Sequence, residues 1–310
     1  MPKKAIVTGG AGFIGSHMVD HLLKKGFRVA VIDNLKTGKR ENISAKAKFY
    51  KQDITNLKSI LNIFKKEKPD YVFHFAAQLD LRFSVDNPWQ DAKENIIGGI
   101  NIIEASRRIK LKKFIFSSTG GAIYGGAWKI PTPETYRPHP LSPYGVSKLS
   151  FEEYLHCYRH MRQNSLDSVS LRYANVYGPR QDSRGEAGVI AIFARKFLAG
   201  KQPIIFGDGK NTRDFVYVSD VVDANWRALM SKNPRHKIFN IGTGKETSIN
   251  QIFQKLKKLT ASQFKPKHGP AKAGEERRSV LACARARQEL KWKPKIDLDT
   301  GLAMTVDWFR

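Results

Sequence analysis

"TGGAGFIGSH", residues 8–17, lies between an apolar run, "KKAIV" (3–7), and an amphipathic stretch closed by Gly26. The run before it predicts a strand and the stretch after it a helix, so Gly9, Gly12 and Gly15 fall on a strand-to-helix turn. A glycine triplet alone is a weak signal, but in this context it is a strong one. Glycines let backbone approach a pyrophosphate, and the free N–H groups of the helix start favour an anion. The next apolar run, "FRVAVIDN" (27–34), ends in Asp33, about 20 residues on, where an acid accepts hydrogen bonds from an adenosine ribose. An acid there repels a 2′-phosphate, which favours NAD over NADP. Lys36 and Lys39 temper that preference without reversing it.

The alternation continues outward from this turn. "KFYKQDI" (48–54) reads as a strand, "LKSILNIFKKEK" (57–68) as a helix and "PDYVFHFAA" (69–77) as a buried strand. "KENIIGGINIIEASRRIK" (93–110) reads as a helix and "KKFIFSST" (112–119) as a strand. Strands separated by helices imply parallel strands joined by right-handed crossovers. The expected fold is α/β, a Rossmann-type doubly wound parallel sheet with a smaller α/β C-terminal part. Residues 120–143, rich in Gly and Pro, read as a long loop of the kind that carries function. "SVSLRYANVYG" (168–178) reads as one strand, "AGVIAIFARKFLAG" (187–200) as a helix, and "RDFVYVSDVVDANWRALM" (213–230) as a short strand and a helix. "KIFNIG" (237–242) is another strand, 249–260 a helix, and the rest short, basic, irregular segments. The expected division is a nucleotide domain over 1–174, with segments near 214–242 returning to it, and a substrate domain mainly over 175–310.

Composition narrows the class. The 310 residues are 41% hydrophobic and 26% charged, which describes a globular chain able to bury a large core. No apolar run approaches the roughly 20 residues of a membrane span, and the apolar stretch after "MPKK" is too short for a signal peptide. Two cysteines, Cys157 and Cys283, form no disulfide framework and suit a reducing cytosol, with a single bridge between them left open. The formal charge of +26 is compatible with nucleic acid, an anionic surface or acidic metabolites. The basic residues are not interleaved with aromatics, however, and no nucleic-acid motif accompanies them. His17/His21 and His156/His160 have helical metal-site spacing but lack the adjacent glutamate of a metalloprotease, and no metal is expected.

"SPYGVSKLSFEEY" (142–154) supplies the chemistry. Tyr144 and Lys148 are four residues apart at a predicted helix start, hence on one face. "FSST" ends a strand upstream and offers Ser117, Ser118 and Thr119 where ligands of doubly wound sheets bind. A free tyrosine titrates near 10, too high for a base at neutral pH. A neighbouring lysine ammonium and a positive nicotinamide ring both favour its phenolate.

Together with "DI" (53–54), "FHFAAQ" (73–78), "RYANVYGPRQ" (172–181), "FGDGKNTRDFVYVSD" (206–220) and "FNIGTG" (239–244), these motifs resemble the extended short-chain dehydrogenase/reductase family, nearly end to end and in the family's order. Within it the chain is most similar to the UDP-glucose 4-epimerases. The resemblance implies an NAD-dependent isomerase of galactose metabolism acting on a UDP-sugar, a cytoplasmic location, and a homodimer built from helices 91–109 and 145–163. It implies that Tyr144 is the base, Lys148 its tuner and a ribose ligand, and Thr119 with Ser118 the hydroxyl partner of the sugar O4. The same correspondence places Gly9, Gly12, Phe13, Ile14, Gly15, Asp33, Asn34, Asp53 and Ile54 at the cofactor. It adds Phe75, Ala76, Ala77, Gln78, Asn95, Ser117 and Tyr173 along the cofactor path. For the substrate it names Ser84 and Val189, Asn175 and Arg213 at the diphosphate, Ile204 and Phe206 at the uracil, and Lys272, Glu275 and Ser279.

Four departures matter. Thr119 is followed by Gly120 and Gly121, not by the acidic pair of the 4,6-dehydratases. In the C-terminal segment Lys272 stands where an arginine is usual, and a lysine loses the two-pronged bonding to phosphate. Ala282 replaces an aspartate and Lys291 a glycine, with Arg277 or Arg278 as candidates to compensate. Ser279 replaces a bulky tyrosine found at that position in some members and leaves room for an N-acetyl group. Two rivals stay open: another nucleotide-sugar decarboxylase or reductase, and a catalytically idle basic Rossmann protein that binds RNA or a protein.

Overall fold

β1 (Lys4–Thr8) is buried along nearly its whole length, as a central parallel strand covered on both faces must be. The structure, a computed structural model, describes residues 2–182, 188–271 and 276–310, so Lys272 and Glu275 lie outside the described residues. After β1 come α1 (Phe13–Lys24), β2 (Arg28–Asp33), β3 (Lys48–Lys51), α2 (Leu57–Glu67) and β4 (Tyr71–His74). Short helices α3 (Leu81–Asp86) and α4 (Pro88–Ala92) lead through a π turn (Lys93–Ile97) into α5 (Gly98–Arg108). β5 (Lys113–Thr119), α6 (Gly120–Ile123), α7 (Pro143–His160) and β6 (Ser168–Tyr173) follow.

β7 (Asn175–Tyr177), α8 (Val189–Leu198), β8 (Ile204–Phe206), β9 (Thr212–Arg213) and β10 (Phe215–Tyr217) come next. α9 (Val218–Met230) then leads to β11 (Ile238–Ile241), β12 (Thr247–Ser248) and α10 (Ile249–Leu259). β13 (Lys267–Gly269), β14 (Arg278–Ser279), α11 (Ala284–Glu289) and α12 (Leu298–Phe309) complete the chain.

The main sheet has seven strands, all parallel, in the order β11-β6-β5-β4-β1-β2-β3. The order reverses between β1 and β4, which opens a crevice beyond their C-terminal ends. On one face Met18, Val19 and Leu22 of α1 share a core with Val221 and Val222 of α9. On the other, α2, α5 and α7 supply Ile60, Phe64, Ile102, Ile103, Phe151 and Leu155. A third core joins α8, α10 and α12 to β10 through Phe193, Phe197, Phe253, Leu302 and Val306.

The structure corrects four local expectations. The "RYANVY" run is two strands, because β6 belongs to the main sheet and β7 leaves it at Ala174 to pair with β10. The long loop opens with a helical turn, α6, whose first free N–H groups are capped by the Thr119 hydroxyl. The helix expected from residue 93 starts at Pro88, which is tolerated at a first helical position, and a π turn interrupts it. The irregular C-terminus contains α12, capped by Asp297 and buried through Leu302 and Val306; Gly301 and Thr305 weaken its helical signal in sequence. Cys157 is exposed and Cys283 buried, and both are free thiols. No described helix is long and apolar enough to cross a membrane.

Candidate active site

The crevice starts at the glycine turn. Gly9 has φ +69°, and a Cβ there would stand 2.6 Å from the Ala76 nitrogen. A Cβ on Gly15 would stand 2.2 Å from the Gly9 carbonyl oxygen, so the turn closes onto α1 only without side chains. Gly12 caps α1 with no side-chain hydrogen bond, and the first turn holds no acid, leaving its N–H groups for a ligand. Phe13 and Ile14 pack part-buried against the third core. This bare cradle, with an acid at the end of the next strand, fits a dinucleotide.

Asp33 is held in place from both sides, accepting from the Ala11 N–H at 3.0 Å and the Leu35 N–H at 2.8 Å. Asp53 accepts from Asn34 at 2.8 Å and twice from Thr55. Burial works against the Asp53 charge, but those hydrogen bonds hold its carboxyl below the usual range. Ile54 is buried beside them. Beyond β4, Phe75 and Ala76 are tied to Thr8 through N–H donors, and Ala77 is half-buried next to them. Asn95 exchanges two hydrogen bonds with the Gln78 backbone, so these two fix one another.

Opposite the cradle stands α7, started by the Ser142 cap and Pro143. The Tyr144 phenol and the Thr119 hydroxyl are near neighbours. The Lys148 ammonium donates to the Ser117 carbonyl at 3.0 Å and lies 5.8 Å from the Tyr144 ring centroid. Burial, then the charge of Asp91, push the Tyr144 phenol well above the usual tyrosine range. Burial lowers Lys148 to about 8 against the opposing pull of Asp91 and Glu152. Thr119, Tyr144 and Lys148 are therefore brought together, with a protonated phenol beside a cation that titrates near neutrality. His74, behind them, bonds Thr8 at 2.7 Å, and burial drops it to about 3, so it stays neutral.

Ser118 is corrected. Alternation along β5 turns it to the face opposite Ser117 and Thr119, where it donates to Glu152 at 2.5 Å. Ser84 is corrected too: fully buried, its hydroxyl donates to the Leu81 carbonyl and accepts from the Tyr144 N–H at 3.2 Å. It anchors the start of α7 and has no surface to offer a sugar. The Tyr173 hydroxyl exchanges hydrogen bonds with the Asn225 side chain, and the residue is buried at the end of β6.

The substrate side is looser. Asn175 is exposed at the start of β7, and Val189 is part-buried at the start of α8. Ile204 and Phe206 share one face of β8, and Gly269 of β13 packs close against both. Arg213 and Ser279 are opposite each other in the β9–β14 pair, both half-exposed. Arg277 is bound to Asp208 and Arg278 to Glu246 at the surface, so both candidate compensators are already engaged.

Several residues escaped the sequence reading. Glu152 is buried and receives a forked ion pair from Arg172, whose other nitrogen donates to Tyr124, which donates to Asn240. Asp214, next to Arg213, accepts from Thr243, Gly244 and Leu281 and so closes the loop after β11 onto the C-terminal segment. Asp91 is buried between Gln78, Asn95 and Ser147. The usable signals were helical spacings: Glu152 four after Lys148, and Asn95 four after Asp91.

Comparison with known proteins agrees with this geometry. A family model described as the NAD dependent epimerase/dehydratase family matches residues 5–242. The crystal structure of UDP-glucose 4-epimerase from Thermotoga maritima, with UDP-glucose, is 50% identical, covers 99% of this chain and 98% of that one, and superposes with a TM-score of 0.96. The Thermus thermophilus UDP-glucose 4-epimerase in complex with NAD is 41% identical, with 99% and 98% of the two chains covered and a TM-score of 0.92. UDP-N-acetylglucosamine 4-epimerase from Methanobrevibacter ruminantium, in complex with UDP-N-acetylmuramic acid, is 35% identical over 99% and 98% of the chains, with a TM-score of 0.93.

Proposed function

The chain belongs to the NAD dependent epimerase/dehydratase family, and on that premise we propose that it is a UDP-hexose 4-epimerase interconverting UDP-glucose and UDP-galactose. The observation that carries this is the convergence of Thr119, Tyr144 and Lys148 at the C-terminal end of β5, with Gly120 and Gly121 where a dehydratase would need acids. Gly9, Gly12, Gly15, Asp33 and Asp53 would hold NAD, with Lys148 at its ribose. When bound, NAD supplies the hydride acceptor and donor at the sugar C4, so a 4-keto sugar forms and is consumed with no net redox change.

Tyr144 takes the O4 proton and returns it, and the Thr119 hydroxyl bonds the same oxygen. The Lys148 ammonium stabilises the phenolate, which burial otherwise opposes. Asn175 and Arg213 bind the diphosphate, and Ile204 and Phe206 flank the uracil, so the nucleotide stays anchored while the sugar turns over between strokes. Asn175 and Phe206 are exposed and Ser279 is half-exposed, which suits that rotation.

A second substrate class rests on Ser279. Its small side chain, half-exposed opposite Arg213, leaves room beside the sugar C2, so N-acetylated UDP-hexoses are accepted too. The similarity to a UDP-N-acetylglucosamine 4-epimerase supports this. The reading includes a cytoplasmic role in galactose metabolism, with residues 1–174 and the returning segments near 214–242 as the nucleotide domain and 175–310 mainly as the sugar domain. It also includes a homodimer through the helical segments 91–109 and 145–163, where Ile97, Val146, Tyr154 and Met161 are exposed, largely apolar side chains.

Product analysis tests it: purified protein with NAD is incubated with UDP-galactose or UDP-N-acetylgalactosamine and the 4-epimers are resolved by chromatography. Conversion of both supports the full reading. Conversion of UDP-galactose alone keeps the reaction and removes the Ser279 argument. Folded, NAD-loaded protein that converts neither overturns the assignment; NADH consumed on a 4-keto UDP-sugar, or CO₂ released from a UDP-uronic acid, then identifies a reductase or a decarboxylase.

A further inference from the structure

Asp91 on α4 is fully buried, and everything that touches its carboxylate in the hydrogen-bond network is neutral. Oδ1 accepts from the Gln78 amide at 2.8 Å and the Asn95 amide at 2.9 Å, and Oδ2 accepts from the Ser147 hydroxyl at 2.6 Å. Three donors and no acceptor describe an ionised carboxylate. No described residue forms an ion pair with it. A buried charge without a partner is strongly disfavoured, so its counter-charge must lie nearby.

The neighbouring groups leave one candidate. Glu152 on α7 is neutralised by its forked bond to Arg172 of β6, and His74 of β4 is neutral. On the other elements packed against α7, Arg82, Asp86 and Lys93 are exposed, while Glu94 pairs with Lys36 and Glu104 with Arg107. Among the described residues Lys148, the neighbour of Ser147 on α7, is the remaining buried cation without a carboxylate bonded to it, and Tyr144 lies one helical turn before the same Ser147 that holds Asp91, so the charge faces both.

We propose that Asp91 is the counter-charge of the catalytic pair: its carboxylate, tied to α7 through Ser147, sets the charge balance of Lys148 and Tyr144. Through Gln78 and Asn95 the same group holds the loop beyond β4, which faces the glycine turn. Asp91 is a positioning residue, one helix removed from the chemistry, and the proposal rests on the Tyr144–Lys148 reading of the site.

The signs give it a signature. Removing a negative charge makes the Lys148 ammonium easier to deprotonate and the Tyr144 phenol easier to ionise. Activity needs the phenolate and the ammonium together, so the two limbs of the profile report the lower and the upper titration of this coupled pair. In Asp91→Asn both limbs of the pH–rate profile therefore move to lower pH, by about one unit. Ultraviolet titration of the Tyr144 phenolate, with Tyr144→Phe as the blank, moves the same way without reference to turnover. Ser147→Ala, which removes a tie but leaves the charge, lowers activity without moving the limbs.

Lower activity with unmoved limbs in Asp91→Asn would make the residue merely structural and overturn the proposal. If that variant does not fold, isotope-edited infrared spectroscopy of the NAD-loaded wild-type protein decides. A protonated Asp91 carboxyl at the pH of maximal turnover overturns the proposal, and an ionised one sustains it. Failure of the wild type to epimerise any UDP-hexose is a separate outcome and strikes the functional reading instead.

Discussion

The nucleotide side of the crevice and the sugar side are built on opposite plans. On the nucleotide side the acids Asp33 and Asp53, the amides Gln78 and Asn95, and Lys148 each have at least one directional bond to the protein already made. On the sugar side Asn175 and Phe206 are exposed, and Arg213 and Ser279 lie on strands only two residues long, although Arg213 too has a bond made, to the Thr212 carbonyl at 2.8 Å. One side is preorganised and the other is permissive. A reaction in which the cofactor stays and the sugar must rotate asks for that division, because preorganisation lowers the barrier only where the geometry must not change.

The largest effect should come from the preorganised side. Tyr144→Phe keeps the ring and loses the proton carrier, so turnover should fall by about 10²–10⁴-fold while the thermal midpoint and retained NAD barely change. Equal losses from substitutions on the sugar side would break the comparison. Gly15→Ala puts a methyl against the Gly9 carbonyl. That overpacking should remove about 1–3 kcal/mol of stability, read in a denaturant melt, and strip the protein of co-purifying NAD.

On the permissive side the expected effects are selective and smaller. Ser279→Tyr should reduce kcat/KM for UDP-N-acetylgalactosamine by about tenfold or more and leave UDP-galactose within a few-fold, since one pocket group discriminates by about 1–3 kcal/mol. Parallel loss of both substrates would mean that Ser279 supports the fold, not the pocket. Smallest of all, Arg278→Ala removes a surface pair with Glu246 and should leave the denaturation midpoint almost unmoved. A large rise in KM on that substitution would show the surface pair opening to meet the diphosphate.

The nucleotide half was readable because its signals are local. A glycine turn, an acid at a strand end and a tyrosine–lysine pair one helical turn apart each declare themselves within a short window, and the strand–helix alternation supplies the topology. Ser118 was misread because adjacency in sequence is opposition in a strand, and a motif of three hydroxyls hides which face each one takes. Ser84 was misread because its partner, the Tyr144 backbone, is 60 residues away. Asp91 was only partly legible: Asn95 lies one helical turn from it, but Gln78 and Ser147 reach it from a loop and from another helix. The mixed apolar and small residues of α12 gave too little helical contrast to show a third core.

The chain of contacts from Ser118 through Glu152, Arg172 and Tyr124 to Asn240 has a consequence for how this protein can diverge. Its members come from β5, α7, β6, the segment after α6, and β11, and most are sealed from water. Loss of Arg172 alone strands the Glu152 charge, at about 3–5 kcal/mol, whereas loss of the pair together into apolar residues of similar volume can be nearly neutral. A lineage drifting by single substitutions therefore meets a barrier at these positions that a double change would step over. The surface strands beside the sugar meet no such barrier. New substrate preferences should accordingly arise along β8, β9 and β14 long before the buried chain beneath the catalytic helix is rewritten, and variation should enter that chain in coupled steps.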